Sequence, residues 1–259
     1  MKIVISPAKT LDYESPWHAP QTTLPRLPED SAELVDVLRK LAPFEISALM
    51  GISDKLGELN AERFQRWQWP FPEGEARPAI FAFKGDVYTG LEAETLSEEG
   101  LLEAQKSLRI LSGLYGLLRP LDLMLPYRLE MGTRLETPRG KTLYAFWGDR
   151  ITQLLKSDMA ADGDKALVNL ASNEYFKALK PKQLGVPVIT PVFKDLKGRD
   201  YKIVSFWAKK ARGMMTRFIL DNGIDDVDGL RDFNVGGYVF NPAMSDDTTL
   251  TFTRDHPDQ

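Results

Sequence analysis

Ile3-Val4-Ile5 opens the chain as a short unbroken apolar run, the pattern of a strand buried on both faces. From Asp30 or Ser31 the spacing changes. Leu34, Val35, Leu38 and Leu41 recur on one helical face, and Pro43 is the expected stop. Ala79 to Phe83 predicts a strand that runs into Lys84-Gly85-Asp86. Ala166 to Leu170 predicts another, followed by a short helix for which Ser172 is the natural N-cap. Val186 to Phe193 and Tyr201 to Trp207 read as two strands joined around Lys197-Gly198. A helix from about Ala208 to Asp221 ends at Gly223, and Gly237 to Phe240 with Thr249 to Thr253 reads as a terminal hairpin.

These elements mix without a regular βαβ rhythm, and no repeat or low-complexity linker divides them. The expected class is therefore α+β: one domain over residues 1–259, with a mixed sheet, surrounding helices and an unusual, non-Rossmann topology. A hydrophobic content of 43% supports a packed core rather than disorder. No apolar run approaches the ~20 residues that span a bilayer. The apolar part of Met1 to Pro7 is too short for a signal peptide, so a cytoplasmic protein without a membrane partner is expected.

Composition narrows the chemistry. The chain has no cysteine, which removes disulfide-linked partners, thiolate nucleophiles and thiol redox sensing. His18 and His256 are the only histidines and lie near opposite ends. A Cys/His metal cage is impossible and a histidine triad is disfavoured. No P-loop, GxGxxG or metal-ligand spacing is present, so neither metal nor cofactor is expected. Acid–base work falls to Lys, Tyr, Asp or Glu.

Charge is divided unevenly. Tyr175 to Leu220 holds eleven Lys and Arg against Asp195 and Asp200, in a chain whose net charge is −4. Local field, not total charge, attracts a polyanion. Some of that charge also suits the wet faces of a hairpin and a helix.

Four constellations stand out. Ile46 to Leu59 fits a helix-hairpin-helix, with Gly51-Ile52-Ser53 as the turn and Lys55 in the second helix, which continues to about Trp67. Such a turn aims backbone N–H groups at a phosphate. Ser53 replaces the second turn glycine of that motif, and an ordinary helical turn fits as well. In the second, Lys209, Lys210, Arg212 and Arg217 rim an amphipathic helix whose remaining face is apolar, suiting phosphate contact or simple solvation. In the third, Leu111 to Gly132 combines glycines, prolines and tyrosines into an expected long shaped loop. It offers Arg119 and Arg128 as anion ligands, with Glu130 as an alternative partner for Arg128 and Tyr115 as a candidate catalytic residue. The fourth is a set of polar turns after strands, at Ser6 to Thr10, Lys84 to Tyr88 and Asn169 to Tyr175. Strand ends line crevices, so Lys9 and Lys84 are candidate anion ligands, with Asp86 and Glu174 as acid or base.

Ser6-Pro-Ala-Lys-Thr-Leu11, Phe83-Lys-Gly-Asp-Val-Tyr-Thr-Gly-Leu91, Leu111 to Asp122, Pro126 to Gly132, Phe146-Trp-Gly148, Asn169-Leu-Ala-Ser172 and Ala208 to Gly213 resemble, in order, the motifs of the YaaA family, also called UPF0246 or DUF328. The resemblance implies a bacterial cytosolic protein of the hydrogen peroxide stress response, linked to keeping unincorporated iron low and so limiting Fenton damage to DNA. It further implies DNA binding, a single-domain mixed fold, a positively charged cleft and a helix-hairpin-helix. It carries no catalytic residues to this chain. The leading expectation is thus a DNA-binding stress protein that contacts duplex or distorted DNA with little sequence preference. The alternative is an enzyme acting on a phosphorylated or carboxylated small molecule in the same cleft, with Asp86, Tyr115, Arg128 and Lys209 as the first residues to test. Direct iron sequestration, with carboxylates as the only ligands, is the weakest expectation.

Overall fold

The computed structural model describes residues 1–255; His256 lies outside the described residues. The apolar run at the start is strand β1 (Lys2–Ile5), all four residues buried, and Thr10–Leu11 forms the short β2. Three helices follow: α1 (Pro28–Leu38), α2 (Pro43–Met50) and α3 (Asp54–Arg66). Pro28 opens α1 with its fixed φ, and Leu34, Val35 and Leu38 face the core. Pro43 proves to be the first turn of α2 rather than a terminator, because its missing N–H costs nothing there. The Glu45 carboxylate accepts from the Ala42 N–H at 2.7 Å and secures that start.

Ala79 to Phe83 departs from its expected strand. After β3 (Arg77–Pro78), residues Ala79–Ala82 form one helical turn, α4, before β4 (Phe83–Lys84). A five-residue apolar run does not distinguish a buried strand from a buried helical turn. Here Arg77 decides it, donating from Nε to the Phe81 carbonyl at 3.1 Å and curling the chain back. Helices α5 (Asp86–Leu91) and α6 (Glu98–Ser107) then lead into β5 (Leu108–Ser112).

The expected long loop from Leu111 to Gly132 is largely core. Gly116, at φ +69°, turns β5 back into antiparallel β6 (Gly116–Leu118), and β7 (Leu123–Met124) pairs with β3. Leu114, Tyr115, Leu117, Leu118 and Leu121 are all fully buried. Helices α7 (Leu143–Trp147) and α8 (Arg150–Asp162) precede β8 (Leu167–Leu170) and the short α9 (Asn173–Phe176). Ser172 sits at the N-cap position of α9, but its side chain makes no cap hydrogen bond there.

Strand β9 (Val188–Lys197) turns at Gly198 into β10 (Asp200–Lys202). The second strand stops five residues short of Trp207, because α10 (Ser205–Asn222) already begins at Ser205. Gly223 ends α10 in the left-handed region at φ +59°. β11 (Val239–Phe240) and β12 (Thr249–Arg254) make the closing antiparallel pair.

The main sheet is mixed, in the order β11-β12-β9-β8-β1-β5-β6, with β10 paired to β9. Its five middle strands, β5, β1, β8, β9 and β12, are all parallel. Numbered by appearance they read 2-1-3-4-5, an order found in doubly wound sheets but not that of the dinucleotide-binding Rossmann fold. The expectation of an α+β class with unusual topology thus meets a mixed α/β arrangement with a regular parallel centre. Irregular connection lengths hide that order from the sequence.

Two contacts hold the frame around the later site. Helices α5 and α10 cross with backbones touching. A Cβ on Gly90 would lie 2.1 Å from the Lys210 carbonyl oxygen, and one on Gly213 only 1.8 Å from that of Val87. Under the sheet, Asp158 of α8 accepts from Arg109 Nε at 2.6 Å and from Arg26 at 2.5 Å. Burial raises the Asp158 pKa, yet the two guanidiniums outweigh it and hold the carboxyl below its ordinary range.

Gly213→Ala is expected to destabilise the fold by about 3 kcal/mol or more, at or beyond the usual cost of overpacking, in urea unfolding. Asp158→Ala leaves the buried Arg109 without a counter-charge and should cost about 3–5 kcal/mol. Because the Asp158 pKa is depressed on folding, its contribution is complete above the unfolded value near 3.8 and is lost as pH falls below it. Asp158→Asn should therefore flatten the acid limb of the stability curve measured between about pH 5 and pH 2.

Candidate anion-binding crevice

Successive crossovers reverse direction beside β1, so the chain leaves β1 and β8 toward opposite sides. A crevice opens at the carboxyl ends of two such strands. Here it is a cavity of about 460 Å³, walled by Ser6 to Thr10 after β1 and by Ser172, Glu174 and Tyr175 after β8. Lys84 to Tyr88 and the face of α10 carrying Lys209 and Arg212 complete it. Three turns far apart in sequence thus meet in one place.

Hydrogen bonds stitch the two strand ends together. The Ser172 N–H donates to Ser6 Oγ at 2.8 Å, and Tyr88 Oη donates to the Ser6 carbonyl at 3.2 Å. Tyr88 and Tyr175 are buried, and desolvation pushes both phenols well above their ordinary range, so they stay neutral. They form part of the wall as neutral phenols.

Most charges in the crevice already have partners. Lys9 Nζ lies 2.8 Å from Glu130 Oε2, and Lys209 Nζ is 3.9 Å from Asp86 Oδ2. Lys84 reaches Asp12 at 3.5 Å, and Glu174 accepts from the Gly132 N–H at 2.9 Å. Arg212 differs. It is half-buried, and among the described residues its guanidinium makes no hydrogen bond or ion pair. Burial pulls its pKa down with no counter-charge to offset it. A guanidinium of this kind has the planar fork of N–H donors that matches a carboxylate or phosphate oxygen pair.

The other sequence candidates distribute as follows. Arg128 borders the crevice beside Lys9, with its head 3.3 Å from Glu130 and its buried Nε unpaired. Arg119 is elsewhere, clamped to the fully buried Asp122 at 2.8 Å and to the Leu24 carbonyl at 3.1 Å. Arg217 is likewise spent, on Asp221 at 2.7 Å, on Thr95 Oγ1 at 2.5 Å and on the Glu92 carbonyl at 3.1 Å. Lys210 is on α10 but does not line the crevice. Tyr115 is a core residue whose hydroxyl accepts from Trp67 Nε1 and from the Leu125 N–H, both at 3.0 Å. Its burial and raised pKa remove it from acid–base chemistry.

Gly51 and Ser53, in the three-residue turn between α2 and α3, and Lys55, in the first turn of α3, are exposed and lie outside the crevice, with Gly51 at φ +61°. His18 is exposed and pairs with Glu98 at 2.9 Å. Glu130 enters the crevice as the partner of Lys9, a pairing that their separation in sequence conceals. Ser6 and Ser172 had a legible signal, a polar residue within two positions of the end of a buried strand.

Comparison with known proteins places the chain in a family. A model of the family described as peroxide stress protein YaaA matches residues 1–244. A UPF0246 protein of Hahella chejuensis is 58% identical over 256 residues, covering 99% of this chain and all of the relative. One from Idiomarina loihiensis is 59% identical over 254 residues, and one from Aliivibrio fischeri 57% over 255, each covering 98% of both chains. The chain therefore belongs to the peroxide stress protein YaaA family, whose curated relatives carry the name UPF0246.

Proposed function

We propose that this chain serves peroxide-stress resistance by binding a small molecule that bears a phosphate or carboxylate in the β1/β8 crevice. The unpaired, half-buried Arg212 carries the reading. A volume of about 460 Å³ lies within the range of small-ligand sites. Arg212 takes the anionic group, and Asp86 beside Lys209 is the carboxylate placed to exchange a proton with the ligand. The iron-limiting role implied by the family would act through what happens to that ligand.

A duplex track is less well supported in this crevice. Its lining holds Lys9, Lys84, Lys209 and Arg212 against Asp86, Glu130 and Glu174, a net charge of only +1. Salt-sensitive duplex binding typically draws on about six to ten phosphate contacts. DNA contact is instead favoured at the α2–α3 turn, where exposed Ser53 and Lys55 stand at the N-terminal end of α3.

Arg212→Gln should weaken binding of inorganic pyrophosphate or citrate by about tenfold or more in calorimetry, without lowering the melting temperature. The same variant should fail to restore peroxide survival to cells lacking the protein. Full rescue would sink the reading. For DNA, Lys55→Glu should weaken duplex binding in fluorescence anisotropy and lower its salt slope by about one. Lys209→Glu with Arg212→Glu should leave both unchanged; a loss there would return the duplex to the crevice.

A further inference from the structure

A second and larger cavity, of about 770 Å³, lies between the segment following β2 and one face of α3. It shares only Thr10 and Lys84 with the crevice. Arg63 of α3 projects into it, half-buried. Among the described residues the Arg63 guanidinium has one contact, to Asn60 Oδ1 at a long 3.4 Å, and no carboxylate partner. Burial lowers its pKa, with only the distant influence of Tyr13 opposing.

The charges around it are arranged differently. Glu62 is occupied by Arg66 at 2.6 Å. Asp12 is satisfied by the N–H groups of Glu14 and Ser15 at 3.0 and 2.9 Å and by the Ser15 hydroxyl at 2.7 Å. Those bonds, the Ser15 N–H foremost, hold its carboxyl far below the ordinary range. Glu14 and Glu75 line the same cavity and are exposed. Between these charges the wall is apolar, formed by Leu59, Trp67, Leu125 and Pro126.

We infer that this cavity is a binding site for an organic monocarboxylate with an apolar or aromatic body, anchored through its carboxylate on Arg63. One free guanidinium pairs with one carboxylate in a bidentate fork. The apolar wall takes the body, and a volume of this size holds a drug-sized molecule. Four carboxylates against Arg63, Arg66 and Lys84 make the lining net negative, which turns away nucleic acid and polyphosphates. The site is separate from the crevice and does not depend on its assignment.

Naphthoate and phenylbutyrate, titrated into the full chain by calorimetry, are the probes. Both should bind, and the neutral naphthamide should bind about tenfold more weakly or worse. Arg63→Gln should impose a similar loss without lowering the melting temperature, since its one long contact adds little to the fold. Leu59→Glu, which places a further negative charge at a partly exposed wall position, should also weaken binding, whereas Arg212→Gln should not. Failure of both carboxylates to bind would overturn the inference. So would equal affinity for naphthamide, unchanged affinity in Arg63→Gln, or loss of binding in Arg212→Gln.

Discussion

The crevice depends on two helices being allowed to touch backbone to backbone. At Gly90 and Gly213 there is no side chain to hold α5 and α10 apart. Their crossing brings Asp86, at the start of one helix, opposite Lys209 and Arg212 on the other. Any larger residue at either position must move a peptide group rather than a flexible side-chain tip. A packed core transmits such a shift instead of absorbing it. The glycines therefore act on the site through geometry, although neither lines it.

Buried ion pairs give the frame its rigidity around that contact. Asp158 joins Arg26 and Arg109, and Asp195 of β9 joins Arg254 of β12 at 2.6 Å while accepting from Tyr238. Arg254 is further held over the rings of Trp207 and Tyr238. Each network ties together elements distant in sequence, and its members are paired. Against that background the unpaired guanidiniums of Arg212 and Arg63 stand out. In a fold that neutralises its buried cations, a half-buried guanidinium without a counter-charge is the exception, and both proposals rest on it.

The basic stretch from Tyr175 to Leu220 illustrates how net charge misleads. Lys194, Lys197, Arg199 and Lys202 decorate the β9–β10 hairpin and its turn, and Arg217 is consumed by neighbours on α10 and beside α5. Of the charges in that stretch, only Lys209 and Arg212 reach the crevice. A sum over sequence counts charges that a fold pairs off or spreads over separate faces, and ligands respond to what remains in one place.

Patterns local to the chain were legible without the structure. The buried strands at Ile3–Ile5 and Leu167–Leu170, the α1 face and the Gly223 stop follow from side-chain period and cap chemistry, which act over a few residues. The polar turns after strands were legible as crevice residues for the same reason. Ala79–Ala82 and the Leu111–Gly132 run were misread, because the anchoring of Arg77 on the distant Ser15 carbonyl and the burial of Tyr115 are tertiary effects. Family membership was also written in the residues themselves. Only the tertiary structure decided which arginines are spent and which are free. Arg119, Arg128, Arg212 and Arg217 look alike in sequence, and their roles are set by carboxylates and carbonyls that folding brings to them or leaves away.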